Sequence, residues 1–179
     1  MGRKAVNGEI KIQHSTKDFD WLGTGAYFWE NDPRRALEWA NEKARRGDYK
    51  SPFVIGAVID LGNCLDLTVR EDLELLKLAA QSFSALRTAS GLPMPENKAA
   101  PNDKRADKVM RYLDCAVINH LHGMIDGGEA PPGLDPFDTV RAILTEGDEL
   151  FEGAGFVDRT HCQIAVRNLR CIKCLFLPL

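Results

Sequence analysis

The chain has 179 residues, of which 44% are apolar and 27% are charged, and its formal net charge is −3. This length and composition predict one globular domain over residues 1–179. They give no sign of a general affinity for nucleic acid, although basic residues cluster between positions 34 and 46. No apolar run approaches the roughly 20 residues that cross a bilayer, so we expect no membrane partner.

Residues 1–11 lack the apolar stretch of a signal peptide, which predicts a cytoplasmic location. The five cysteines are therefore expected to stay reduced. Cys171 and Cys174 form a CxxC pattern, but residues three apart on a strand point to opposite faces. We expect structural thiols here and no metal site.

Residues 21–40 are the most informative part of the chain. The glycine pair at 23 and 25 predicts a turn, and the aromatic run over residues 26–29 predicts a short strand. Asn31-Asp32-Pro33 predicts a helix start, because a side-chain oxygen can cap the first turn and proline is tolerated at the first helical position. An apolar stripe extends the predicted helix over about residues 33–46.

The middle of the chain predicts another strand and two further helices. Residues 53–59 are continuously apolar, which is typical of a buried central strand. A capping-box pattern over residues 68–71 predicts a helix that ends near residue 90. A third helix is predicted over about residues 104–122, with His120 on its apolar face as a core histidine. Two long loops rich in glycine and proline are predicted at residues 91–102 and 123–136.

Three short strands are predicted at the end of the chain, over residues 139–144, 162–167 and 171–177. Because helices come early and neighbouring strands come late, the order of elements predicts an α+β fold rather than a doubly wound parallel sheet.

The second of these strands carries a polar face. Its period of two places Gln163 between His161 and Arg167 on one face, while the other face consists of apolar or thiol side chains. The polar face is either the lining of a polar ligand site or the solvent face of an edge strand.

Familiar catalytic motifs are absent from the sequence. There is no HExxH and no GxSxG, so a hydrolase has no support. Gly23-Thr24-Gly25 lacks the third glycine of a dinucleotide-binding loop and precedes a strand, so it is not a Rossmann fingerprint. Its glycines permit either a close approach of backbone to a ligand or a tight turn before a core strand.

Residues 21–40, WLGTGAYFWENDPRRALEWA, resemble the G-x-G-x-Y-F … A-x-x-W/Y-A signature of bacterial ADP-ribosyltransferase-like domains, including toxin-type members. Residues 160–166, THCQIAV, resemble the strand that carries the family's catalytic Glu or, in many members, a Gln. The resemblance implies a split β-sheet with flanking helices that binds NAD as a substrate.

The resemblance also implies roles for individual residues. Gly25, Tyr27 and Phe28 would line the nicotinamide pocket, with an aromatic ring stacked on the nicotinamide. Gln163 would occupy the position of the catalytic acid. The further candidates for cofactor binding are His161 and Arg141.

The implied reaction displaces nicotinamide through an oxocarbenium-like transition state and transfers ADP-ribose to a protein or nucleic-acid target, as in a toxin or defence component. A glutamine can hold the ribose hydroxyl by hydrogen bonding, but it brings no negative charge to the transition state.

Relatives usually begin with a strand that bears a Y-H-G-type motif, and none precedes Trp21 in this sequence. We therefore expect the first strand of the fold to be missing, which would leave a sheet edge open to a partner chain. Two alternatives to the enzyme stay open. One is a catalytically inactive binding or interaction module on the same fold, and the other is an unrelated α+β fold in which the aromatic strand is core.

Overall fold

The computed structural model describes residues 2–48, 50–99, 108–130 and 132–178. These residues form an α+β fold with helices and two separate sheets, as the order of predicted elements indicated. The elements in chain order are α1 (Gly2–Val6), β1 (Ala26–Trp29), α2 (Pro33–Arg45), β2 (Gly56–Ile59), β3 (Cys64–Asp66), α3 (Arg70–Ala89), α4 (Tyr112–Asp126), β4 (Thr139–Leu144), β5 (His161–Val166), a 3₁₀ turn (Leu169–Cys171) and β6 (Ile172–Phe176).

Strand β5 lies inside the larger sheet. The described strands of this sheet have the order β1-β5-β4-β3, in which β5 is antiparallel to both of its neighbours and β4 is parallel to β3. The run Ile164, Ala165 and Val166 is buried on both faces of the sheet, which is what a strand between two covered faces requires. The interpretation of this segment as an edge strand with a solvent face is therefore wrong.

The two faces of the larger sheet are covered by different elements. The first face packs against α3 and α4, and the core between them includes Leu22, Leu65, Ile118, Leu121 and Val140. The second face carries Ala26, Ile164 and Val166 and packs against residues of β2 and β6, which pair with each other in the smaller sheet.

The predicted central strand over residues 53–59 is wrong in both extent and position. Strand β2 begins only at Gly56, pairs with β6, and leaves Val58 51% exposed. A Cβ at Gly56 would lie 2.3 Å from the Phe176 ring, so a larger residue here would require that ring to move. The place beside β4 is taken by β3, a three-residue strand too short to show a period.

The starts of α2 and α3 differ in how well the cap pattern predicted them. Helix α2 confirms the prediction, because the Arg35 N–H donates to the Asp32 carboxylate at 2.8 Å. The capping box at the start of α3 is wrong, since the N-cap is Val69 and makes no side-chain bond. Thr68 instead donates its hydroxyl to the Asp66 carboxylate at 2.7 Å.

Helix α4 continues past its predicted end at residue 122. It passes through Gly123 to Asp126 because its apolar face continues to Ile125, which is buried in the core between the first face, α3 and α4. Residues 104–107 of the predicted helix lie outside the described residues. His120 is half-buried, and its ring lies 3.1 Å from the Ser82 hydroxyl.

All five cysteines lie in the described residues and are free thiols. Those residues contain no group of three or more His, Cys, Asp or Glu side chains placed to hold a metal ion. None of the helices found in the described ranges is both long and apolar enough to cross a membrane.

The extension of α4 places His122 inside the helix, where it is 4% exposed. Neither ring nitrogen has a hydrogen-bond partner among the described residues. Burial, with a smaller contribution from the Arg167 charge, lowers the pKa of His122 from 6.5 to about 3. The imidazole is therefore neutral in the folded protein.

Replacing His122 with Leu should weaken the loss of stability in acid. The unfolded chain takes up this proton near pH 6.5 and the folded chain only near pH 3, so the residue's contribution to stability is present above pH 6.5 and falls as the pH drops towards 3. The slope it adds is about 1.4 kcal/mol per pH unit at most.

Urea unfolding of wild type and His122→Leu at pH 7.5 and pH 4.5 measures this difference, with His14→Leu as a control at an exposed histidine. An equal loss of stability in wild type and His122→Leu would contradict the assignment.

Candidate functional site

The glycine turn before β1 is closed by the side chain of Tyr27. The Leu22 N–H donates to the Tyr27 hydroxyl at 2.9 Å, and that hydroxyl donates to the Gly23 carbonyl at 2.8 Å. Gly23 has a φ of 76°, a left-handed conformation that favours glycine. Burial, reinforced by the Asp20 charge, raises the pKa of Tyr27 well above its ordinary value. The phenol therefore stays protonated and bound within its own segment.

Gly25 is held between two backbone segments. On one side its N–H and carbonyl pair with Ser15 at 3.2 and 2.8 Å. On the other side a Cβ at this position would lie 3.1 Å from the Ala165 Cβ. The close approach that glycine permits here is between strands, so the geometry favours the tight turn before a core strand over backbone that faces a ligand.

The two segments that carry the family resemblance are neighbouring strands. In the antiparallel pairing of β1 with β5, Tyr27 lies opposite Ala165 and Trp29 lies opposite Gln163. The two strands are therefore not opposite walls of a cleft, and a ligand that touched both would lie on a face of the sheet.

The register divides the predicted site residues between the two faces. Residues directly opposite in a sheet share a face, so Tyr27, Gln163 and His161 belong to the first face. Phe28 lies opposite Ile164, which in turn lies opposite Arg141, and these belong to the second face. Consecutive residues of a strand point in opposite directions, so Phe28 and Arg141 lie on the other face of the sheet from Tyr27 and Gln163.

Gln163 is 7% exposed and bound at both ends of its amide. The Trp21 indole Nε1 donates to Gln163 Oε1 at 2.7 Å. Gln163 Nε2 lies 3.0 Å from His161 Nε2, and His161 Nδ1 lies 2.7 Å from the Arg159 carbonyl. Burial, followed by the Arg35 charge, lowers the pKa of His161, so the ring is neutral at neutral pH.

A buried ion pair lies beside His161. The Arg35 guanidinium donates to the Glu146 carboxylate, and the two residues are 6% and 7% exposed. Two further nitrogens of Arg35, and the indole nitrogen of Trp29, have no hydrogen-bond partner among the described residues. This pair was not among the predicted site residues. Arg35 lies in a run of basic residues, and such a run is typical of a solvent-exposed helix face.

Arg141 on the second face binds two carboxylates. Its Nε donates to Glu30 at 2.8 Å and its Nη1 donates to Asp66 at 3.0 Å. The Cys162 thiol and the Arg141 guanidinium lower the pKa of the Glu30 carboxyl. An anionic ligand at Arg141 would have to displace these carboxylates, so the role predicted for Arg141 in cofactor binding gains no support from its contacts.

A shallow, open groove of about 660 Å³ runs along α2. Its lining residues are Glu38, Asn41, Glu42, Ala44 and Arg45, none of which is a predicted site residue.

Replacing Gly23 with Ala should destabilise the turn more than the same change at Gly8. Both glycines have a left-handed φ, of 76° and 74°, so both variants carry the cost of about 1 kcal/mol for that conformation. At Gly23 the new Cβ would also lie 2.7 Å from the Asn119 Oδ1, whereas at Gly8 nothing lies within 4 Å. We expect about 1–3 kcal/mol of additional destabilisation in Gly23→Ala, measured by urea unfolding. Equal effects at the two positions would show that the turn is not packed against α4.

Removing Glu146 alone should be more harmful than removing the whole ion pair. Glu146→Leu leaves the Arg35 charge buried without its carboxylate, which costs about 3–5 kcal/mol. The double variant Arg35→Met, Glu146→Leu replaces both charges with apolar groups and should recover most of that loss. Unfolding free energies of the three proteins measure the difference, and a double variant no more stable than Glu146→Leu would contradict the pairing.

Comparison with protein-family models, with curated proteins and with solved structures finds no match to this chain. The resemblance to ADP-ribosyltransferase-like domains therefore rests on residues 21–40 and 160–166 alone.

Proposed function

We propose that the chain is an ADP-ribosyltransferase-like, NAD-dependent domain that transfers ADP-ribose to a protein or nucleic-acid target in a toxin or defence system. The observation that supports this function is the pairing of β1 with β5, which puts Trp29 directly opposite Gln163. Two segments far apart in the chain, each similar to a different part of the family's signature, are thereby side by side.

In the proposed reaction the bond between nicotinamide and ribose breaks, and a nucleophile of the target bonds to the ribose carbon. Gln163 would hold a ribose hydroxyl, with Tyr27 and His161 on the same face of the sheet. Because Gln163 is neutral, its contribution to the oxocarbenium-like transition state is orientation rather than charge. Gly25 would support this site through its close packing against Ala165.

Access to Gln163 requires a movement of its neighbours. The side chain is 7% exposed, so a ligand that touches the amide must displace a group that covers it. NAD binding would then be coupled to a rearrangement of the groups that cover the amide.

A catalytically inactive binding or interaction module on the same fold is the second candidate. Two observations favour it: both ends of the Gln163 amide are bonded, and the Tyr27 hydroxyl is bonded within its own turn. Such a module keeps the polar groups of the first face for packing, and its partner would bind elsewhere on the surface.

NAD should raise the melting temperature of the wild type and should be converted to nicotinamide and ADP-ribose products. At tenfold excess of NAD over its dissociation constant, mass action adds about 1.4 kcal/mol of stability, and a chain of this size then melts roughly 3–6 °C higher. Gln163→Ala should lower the rate of nicotinamide release at least about tenfold, a loss equivalent to about 1.4 kcal/mol.

The matched control is Gln81→Ala, the same substitution at an exposed position of α3. Binding without nicotinamide release, with or without added target proteins and nucleic acids, would favour the inactive module. A folded sample that shows neither binding nor release at millimolar NAD would contradict the proposed function.

A further inference from the structure

A chain of hydrogen bonds on the first face has its direction set at both ends. At one end the Trp21 indole nitrogen can only donate, and at the other end the Arg159 carbonyl can only accept. Between them Gln163 and His161 each accept one hydrogen bond and donate one.

Only one arrangement of protons satisfies every link. Because Trp21 donates, Gln163 must turn its oxygen towards the indole and its amide nitrogen towards His161. His161 Nε2 must then accept, so it carries no proton. The ring proton is on Nδ1, from which it is donated to the Arg159 carbonyl.

A second proton on His161 cannot be accommodated in this arrangement. The new Nε2–H would point at the amide nitrogen of Gln163, which is also a donor. Turning the amide over would relieve that contact but would place its nitrogen against the donating indole of Trp21. The Trp21 indole makes no bond to His161, but it fixes the orientation of the Gln163 amide and so disfavours a second proton on His161.

Charged groups around His161 also affect its protonation. Arg35 faces His161 from α2 and disfavours a second positive charge, while Glu146 after β4 and Asp32 before α2 favour it. Both carboxylates have other partners, because Glu146 is paired with Arg35 and Asp32 caps α2.

We propose that Trp21 and His161 are positioning residues that hold the Gln163 amide in one orientation, and that uptake of a second proton by His161 releases it. This role deepens the proposed function and rests on it where NAD is concerned. The fixed amide presents its remaining N–H and its remaining oxygen lone pair in a defined direction, towards ligand groups such as a ribose hydroxyl.

The same arrangement accounts for an amide rather than a carboxylate at position 163. A carboxylate has no N–H to donate to His161 Nε2, so a glutamate here would require a doubly protonated His161 beside Arg35. The neutral pair of Gln163 and His161 avoids that charge.

The test is an NMR titration of the full chain, with ¹⁵N-labelled histidine, in wild type and Trp21→Phe. In wild type at pH 7.5, His161 should carry its proton on Nδ1. In Trp21→Phe the indole N–H is lost, so the Gln163 amide is free to turn its oxygen towards a protonated His161. The pKa of His161 should therefore rise by at least about one unit, which is a tenfold change in its protonation constant.

The matched control is Trp29→Phe. The Trp29 ring also lies close to His161, with 6.3 Å between ring centroids, but its indole N–H has no partner among the described residues. This variant should leave the His161 titration within about 0.3 pH unit of wild type, well inside a tenfold effect.

Gln163→Glu supplies an independent measurement in case Trp21→Phe does not fold. Its carboxylate accepts from both neighbours, so the His161 titration should again move to higher pH. A titration unchanged in Trp21→Phe or in Gln163→Glu, or a proton on Nε2 in the wild type, would overturn the proposal.

The titration needs no NAD, so its failure is distinct from failure of the proposed function. If the wild type releases nicotinamide, the rate of release should fall in acid, with a midpoint at the pH where His161 titrates. The fall should be in kcat more than in KM. A decline in wild type that does not follow this midpoint would also overturn the positioning role.

Discussion

The pairing of β5 with both β1 and β4 is the constraint on which the rest of the structure depends. Because both faces of β5 are buried, its register has only one tolerable value. A slip by one residue would move Gln163 into the apolar core on the second face of the sheet. It would also put Ile164 beside the Trp21 indole. The same register decides which residues of β1 and β4 lie near Gln163, so the candidate site is a consequence of the pairing rather than an addition to it.

Local signals in the sequence were sufficient for some elements and misleading for others. Helix α2 was predicted closely, because it has a clear apolar stripe and the Asp32 cap, and the predicted bounds of β4 are also those of the structure. Residues 53–59 look like a central strand by composition, but distant residues decide which strand occupies the centre of a sheet. Glycine usually ends a helix, yet Gly123 does not, because burial of Ile125 outweighs its low propensity.

The candidate site shows the same limit. The period of two correctly put Gln163 and His161 on one face, and applied to β1 it would also have separated Phe28 from Tyr27. The family resemblance grouped those two residues without regard to that alternation. Trp21 and the ion pair of Arg35 with Glu146 have no local signal as site residues, since their partners are set by tertiary packing.

The long separation between β1 and β5 along the chain also sets an order of events during synthesis. The turn closed by Tyr27 uses contacts within a few residues and can form as soon as it leaves the ribosome. Its neighbour in the sheet, β5, lies far further along the chain and therefore emerges much later. Until then the Trp21 indole has no Gln163 amide to bond, and the aromatic strand β1 must be kept from pairing wrongly. The site is therefore completed only after β5 has emerged and paired with β1.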